Sequence, residues 1–258
     1  MSVEARIRQP VATASCFACD GKKDWPWTLP IAAKLLGGPP GSATPGCFNR
    51  VVRLETATAV NLIDPMARIQ LPSPDAMTPE QAEVCAEVIS GPRGRVPTPM
   101  IAWLRNPELA RRAQKLGELL RFSTTIEPHL SEMAILVCGR HWTSHVEWAA
   151  HKAIALKAGL DPKIIDDIAA RRTPVFSEKR AQVIYDVAST LLATGRLSDV
   201  LYGRAIEVLG ERALAELVAI LGYYCLAALT LNAFELGLPG GVAPELDDPA
   251  FANAAPST

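Results

Sequence analysis

The chain has 258 residues, 49% of them hydrophobic and 21% charged, which is enough apolar material to bury a sizeable core. Its formal net charge of -1 and the lack of any Lys/Arg run provide no field for nucleic acid or an anionic membrane, so neither is expected as a partner. The absence of a secretory apolar stretch at the start and the scatter of six cysteines fit a cytoplasmic protein whose thiols are mostly buried.

Residues 1 to 64 hold 6 Pro and 5 Gly, with "GGPPGSATPG" at 37 to 46 breaking any periodicity. The segment 1 to 65 is read as a dispensable, disordered extension, or as sequence upstream of a true start at Met66. Within it only Cys16 and Cys19, in "CFAC", are closely spaced. No second CxxC or HxxxH lies at zinc-finger distance, so the pair is assigned neither metal nor redox chemistry.

From Thr78 onward the punctuation is helical. "TPEQ" at 78 to 81 is a capping box with Pro at the first helical position, Asn106-Pro107 and Asp161-Pro162 repeat the signal, and Ser177 and Ser198 open further periodic segments. Gly159, Gly195, Gly210 and Gly237 are expected to close helices. No stretch of this region alternates with period two, so residues 66 to 241 are expected to form an all-α domain of about seven or eight helices, followed by a flexible tail at 242 to 258. Residues 217 to 234 carry no charge and approach the length of a membrane span. The Gly, Tyr, Thr and Asn within them favour a buried central helix or a subunit-contact helix.

The stretch "RHWTSHVEWAAH", residues 140 to 151, holds three of the four histidines. Ser144 and Glu147 have capping-box spacing, which starts a new helix there and makes Trp142-Thr143 a corner. His141 then lies in the corner and no longer pairs with His145 at i, i+4. About ten residues precede the corner back to Glu132 and about nine follow it to His151, so at about 1.5 Å per residue the two stand at equal depth on antiparallel helices. Glu147, one turn from His151, shares its side. Two carboxylates and one imidazole in an apolar bundle are an acid/base arrangement, whose groups cost free energy to bury unless paired. Three uses of this cluster are open at this stage: acid/base catalysis, metal binding by Glu147 and His151 with Glu132 or His145, and a polar network that only specifies packing.

"RGRVP" at 93 to 97, "WLRNPELARRAQKLGELLR" at 103 to 121, the Glu132 helix, "RHW" with "VEWAAHKAIALKAGL", and "GYYCLAALTLNAFELGLP" at 222 to 239 together resemble the carboxymuconolactone decarboxylase family. The resemblance implies an all-α oligomer, commonly a trimer or hexamer. It also implies a cofactor-free enzyme acting on a small carboxylated or lactone-type metabolite. Alkyl hydroperoxidase D-like members of that family carry a glutamate, then CxxC, then a histidine. Here Glu132 and His151 keep that frame, but Ser144 and Glu147 stand at the thiol positions. Cys138 has no partner at CxxC spacing and is given no redox role, so a thiol peroxidase is the lesser expectation. On this reading His151, Glu132 and Glu147 are catalytic. Arg140, His141, His145, Trp148 and Tyr224 are expected to bind substrate, with Arg93 and Arg95 as further anchors for a carboxylate.

Overall fold

In the computed structural model, which describes residues 67 to 238 and 242 to 248, helix follows helix from Thr78 to Ala233. The expectations for residues 1 to 65, including Cys16 and Cys19, fall outside the described residues, as does the tail beyond 248. Among the described residues there are eight α-helices and no strand. These are α1 (Pro79–Ser90), α2 (Met100–Trp103), α3 (Pro107–Phe122), α4 (Pro128–His141), α5 (His145–Lys157), α6 (Pro162–Ala169), α7 (Lys179–Thr194) and α8 (Asp199–Ala233).

The starts are set by local chemistry. Thr78 accepts from the Gln81 amide and donates its own N–H to the Gln81 side chain, closing the capping box of α1. Asn106, Asp161 and Ser198 each accept a backbone N–H at the first turn of α3, α6 and α8. Ser177 does not open α7, which begins at Lys179 behind Glu178 and makes no side-chain cap. Gly159 and Gly195 end helices at positive φ (92° and 71°), where a Cβ would be strained. Gly210, at φ 81° and ψ 165°, is non-helical and closes the first part of α8, which continues beyond it as a second helix across a kink. Gly237 closes nothing, because α8 stops at Ala233, ahead of Glu235 at φ 48°.

α4 is the axis of the bundle. Every residue from Leu130 to Arg140 is buried, and the helix packs against α5, α6, α7 and α8. A helix enclosed on all sides must satisfy whatever polar groups it carries, which here include Glu132 and Arg140. α8 is long and apolar enough to cross a membrane by length and composition. Its inner residues, among them Leu217, Ile220, Leu221 and Tyr224, nevertheless belong to the core, while Val218, Leu226 and Leu229 remain exposed. Trp103 of α2 donates its indole N–H to the Thr230 hydroxyl at 3.0 Å, joining the start of the bundle to its last helix.

Residues 242 to 248 depart from the expectation of a loose tail that begins at 242. Leu246 is buried in the main core, Asp247 offers its carbonyl to Arg140, and Glu245 accepts from Trp148 and Lys152 of α5. One apolar anchor and several charge-assisted bonds hold this segment on the α4–α5 hairpin.

Candidate active site

The α4–α5 hairpin creates the site by turning sharply at Trp142 and Thr143. Thr143 takes φ 47°, and the Ser144 N–H reaches back to the Gly139 carbonyl at 2.9 Å, so α5 returns antiparallel along α4. Ser144 occupies the N-cap position, but the capping box expected with Glu147 does not form. The Ser144 hydroxyl is buried without a hydrogen bond, and the Glu147 carboxylate turns along the helix to His151.

His151 is therefore held at both nitrogens. Nδ1 meets Glu132 Oε2 at 2.6 Å across the hairpin, and Nε2 meets Glu147 Oε1 at 3.2 Å along α5, all three side chains being less than a tenth exposed. Burial alone would pull the imidazole pKa down. The charge and hydrogen bond of Glu132, joined by those of Glu147, outweigh it and push the value up to about 9. Near neutral pH the group is an imidazolium donating to two carboxylates. Tyr224 covers its ring edge-on, with centroids 4.9 Å apart, and burial followed by Glu147 and Glu132 drives that phenol well above its usual range.

The sign of the linkage follows from the raised value. A histidine with an ordinary pKa of about 6.5 when unfolded and about 9 when folded contributes its full stabilisation below about pH 6.5 and loses it as pH rises through about 9. The difference in melting temperature between wild type and His151→Asn should therefore be largest near about pH 6 and shrink toward about pH 10. A constant difference would show an unshifted imidazole, and a difference that grows with pH would show one buried neutral.

Glu147 and His151 open onto a cavity whose other walls include Arg93, Arg95, Arg121, Tyr223 and Tyr224. Glu132 lies behind the imidazole and does not line it. Arg93 has Nε and Nη2 buried with no hydrogen-bond partner, a costly state for a guanidinium that an anion in the cavity would relieve. Desolvation, then repulsion from Arg121 and Arg93, lowers the Arg95 pKa, so three mutually repelling cations share the cavity with Glu147 and His151. The cavity is about 80 Å³, room for two or three waters at about 30 Å³ each. A wider depression of about 490 Å³ between α1 and α3, lined by Glu87, Gln114 and Glu118 among others, contains no imidazole or thiol.

Of the five residues expected to bind substrate, the cavity includes only Tyr224. Arg140 is spent on the fold, donating to the carbonyls of Ala169 (2.7 Å) and Asp247 (3.3 Å) and to the Thr143 hydroxyl. His141 is exposed at the end of α4, edge-on to Trp142. His145 faces Asp248 at 3.7 Å, and Trp148 is 1% exposed with its N–H on Glu245. These four shape the hairpin and its C-terminal clasp. Arg93 and Arg95 do line the cavity, together with Arg121 and Tyr223, which sequence reasoning did not single out. Arg121 sits at the end of an ordinary amphipathic helix, and no spacing connects it to residues 93 and 95.

Cys138 has no CxxC partner in sequence, but it has a thiol neighbour in space. Its Sγ lies 3.6 Å from Cys225 Sγ, a partner 87 residues away that no local motif announces. The metal alternative requires carboxylates and imidazole aimed at one point. Here the carboxylates occupy opposite nitrogens of the ring, and among the described residues no three such groups converge.

The architecture defines a class: an all-α bundle with a Glu–His–Glu cluster on its central hairpin. Among solved structures, it is similar to an uncharacterized peroxidase-related protein from Ralstonia eutropha described as an alkylhydroperoxidase AhpD core. That similarity has a TM-score of 0.57 at 16% identity, spanning 69% of this chain and 94% of the other. At that identity the likeness shows the fold alone. No family model matches the chain, and no curated protein matches it either.

Proposed function

We propose that this chain is an acid/base enzyme of the alkyl hydroperoxidase D-like superfamily, on its carboxymuconolactone decarboxylase side, acting on a small carboxylated or lactone-type metabolite without an organic cofactor. The observation that carries this reading is His151 bonded through both nitrogens to carboxylates, with Glu147 and His151 facing three arginines across a cavity. Glu132 fixes the ring and its charge from behind. The imidazolium, through Nε2 and Glu147, is the proton donor toward substrate, and an arrangement of this kind contributes a factor of about 10² to 10⁴.

For a decarboxylation the balance is simple. The C–CO₂⁻ bond breaks, carbon dioxide leaves, the electron pair is delocalised into an adjacent unsaturated lactone, and one proton from the His151–Glu147 pair is delivered to carbon. Arg93, with Arg95 and Arg121, would hold a second carboxylate or the lactone oxygen on which negative charge collects. The thiol peroxidase reading is disfavoured at this site, because Ser144 and Glu147 stand where it requires sulfur. The exposed apolar side of α8 supports assembly into a homo-oligomer, a trimer or hexamer by the same resemblance.

A panel of small carboxylic and lactone acids, incubated with the protein in D₂O and followed by NMR, tests the reading. Wild type should convert one of them and leave one deuterium on the carbon that lost carbon dioxide. Arg93→Ala should raise KM roughly tenfold or more, and His151→Ala should abolish conversion. Conversion that survives His151→Ala would place the chemistry elsewhere.

A further inference from the structure

We propose that Cys138 and Cys225 form a hydroperoxide-reactive dithiol, separate from the Glu–His–Glu site, that closes into a disulfide tying α4 to α8. The two sulfurs are 3.6 Å apart, on the central helix and the helix packed against it. A disulfide requires about 2.05 Å between sulfurs, so closure brings them about 1.5 Å nearer than they stand here. The two thiols are not equivalent. Cys138 is fully buried, can donate to the Leu221 carbonyl as well as to Cys225, and is held in its protonated form by the Cys225 bond and by burial. Cys225 is half-buried and accepts the Trp142 indole N–H at 3.2 Å. The hydrogen bond from Cys138, assisted by Trp142 against burial, lowers the Cys225 pKa to about 6. A low-pKa thiol on a half-buried residue with a protonated, fully buried thiol beside it is the division of labour between an attacking and a resolving cysteine.

The chemistry balances with a hydroperoxide as oxidant. The Cys225 thiolate attacks the distal oxygen, an S–O bond forms, the O–O bond breaks, and the alkoxide leaves as an alcohol after taking a proton. Cys138 then loses its proton and attacks the sulfenic sulfur, forming the S–S bond and releasing water. In sum, one hydroperoxide and two thiols give one alcohol, one water and one disulfide, with two electrons passed from sulfur to oxygen. Two molecules of a low-molecular-weight thiol reset the pair: the first opens the disulfide at the Cys225 sulfur to a mixed disulfide and frees Cys138, and the second releases Cys225 and leaves joined to the first as their own disulfide. These positions are not those of Ser144 and Glu147, so the inference does not depend on the acid/base reading. The two sites share a stretch of α8, since Tyr224, which covers His151, immediately precedes Cys225 in the chain.

Non-reducing tryptic mapping of the full chain after brief hydrogen peroxide treatment and alkylation tests this. The expected product joins the peptides spanning 122 to 140 and 213 to 258, two hydrogens lighter than their sum, while Cys85, buried and raised in pKa, stays alkylatable. Cys225 should react roughly tenfold faster than Cys85. In Cys138→Ser the reaction should stop at a sulfenic acid on Cys225, trapped by dimedone, and in Cys225→Ser Cys138 should stay reduced. Both cysteines remaining alkylatable in the wild type, at peroxide levels that oxidise free glutathione, would overturn the proposal. A disulfide from Cys225 to any other cysteine would do the same. The wild-type map alone decides the matter if either variant fails to fold.

Discussion

His151→Asn is expected to lower kcat by about 10² to 10⁴, and Glu147→Gln by a similar factor, with the fold retained in both. The amide keeps shape and hydrogen bonding but removes proton transfer, and these are the two cluster members that line the cavity. Glu132→Gln should act differently. It lies behind the ring, so the neutral amide loosens and uncharges the imidazole without touching substrate, and the pH–rate profile should move its upper limb from about 9 toward neutrality. Each change removes a buried charged partner and should cost about 1 to 3 kcal/mol of stability, which a domain stable by about 5 to 15 kcal/mol survives. Melting curves and turnover measured on the same three proteins separate the roles. Three active but destabilised variants would mean that the cluster is a packing network and that the acid/base reading fails.

Gly117→Ala should be as damaging, although the change is a single methyl group on an exposed-looking helix. A Cβ at Gly117 would lie 2.1 Å from the Tyr223 hydroxyl, 2.3 Å from its ring carbon and 2.7 Å from Arg93 Nη2, all far inside contact distance. Tyr223 is 8% exposed and packed edge-on against both Trp103 and Tyr224, so its ring cannot yield without disturbing the residue that covers His151. Overpacking of this kind costs about 1 to 3 kcal/mol. Because the displaced groups are cavity walls, KM and kcat should both deteriorate. An alanine variant with unchanged melting temperature and near-UV circular dichroism would show that α3 shifts freely and that Gly117 is not needed for the close approach.

Much of the helical layout was legible locally because capping is local. A side-chain oxygen at Thr78, Asn106, Asp161 or Ser198 satisfies an amide two or three residues away, and that distance is written in the sequence. The exceptions share a cause. Ser144 and Glu147 have the spacing of a box, yet the charge of His151 one turn further on competes for the carboxylate and wins. Gly237 resembled a stop, but α8 had already ended where its last turn met Arg68, whose N–H takes the Phe234 carbonyl.

The candidate site divides along the same line. The pairing of Glu132 with His151 could be read from counting, because two helices joined by a tight corner bring residues at equal distance from it into register. That step needs only helix geometry and a break, and both are coded by neighbouring residues. Which face of the hairpin meets the cavity, and what stands across it, could not be counted. Arg93, Arg121, Gly117 and Tyr223 come from three separate segments, and Cys138 meets Cys225 across 87 positions. Likewise Arg140, His141, His145 and Trp148 lie within a few residues of the catalytic candidates, yet each points to the C-terminal clasp or the helix end. Sequence by itself determined the helices, their order and the depth of the Glu–His pair, because those depend on interactions between near neighbours. Tertiary structure alone decided the cavity, its cations and the thiol pair, because distant segments meet only through how whole helices pack around α4.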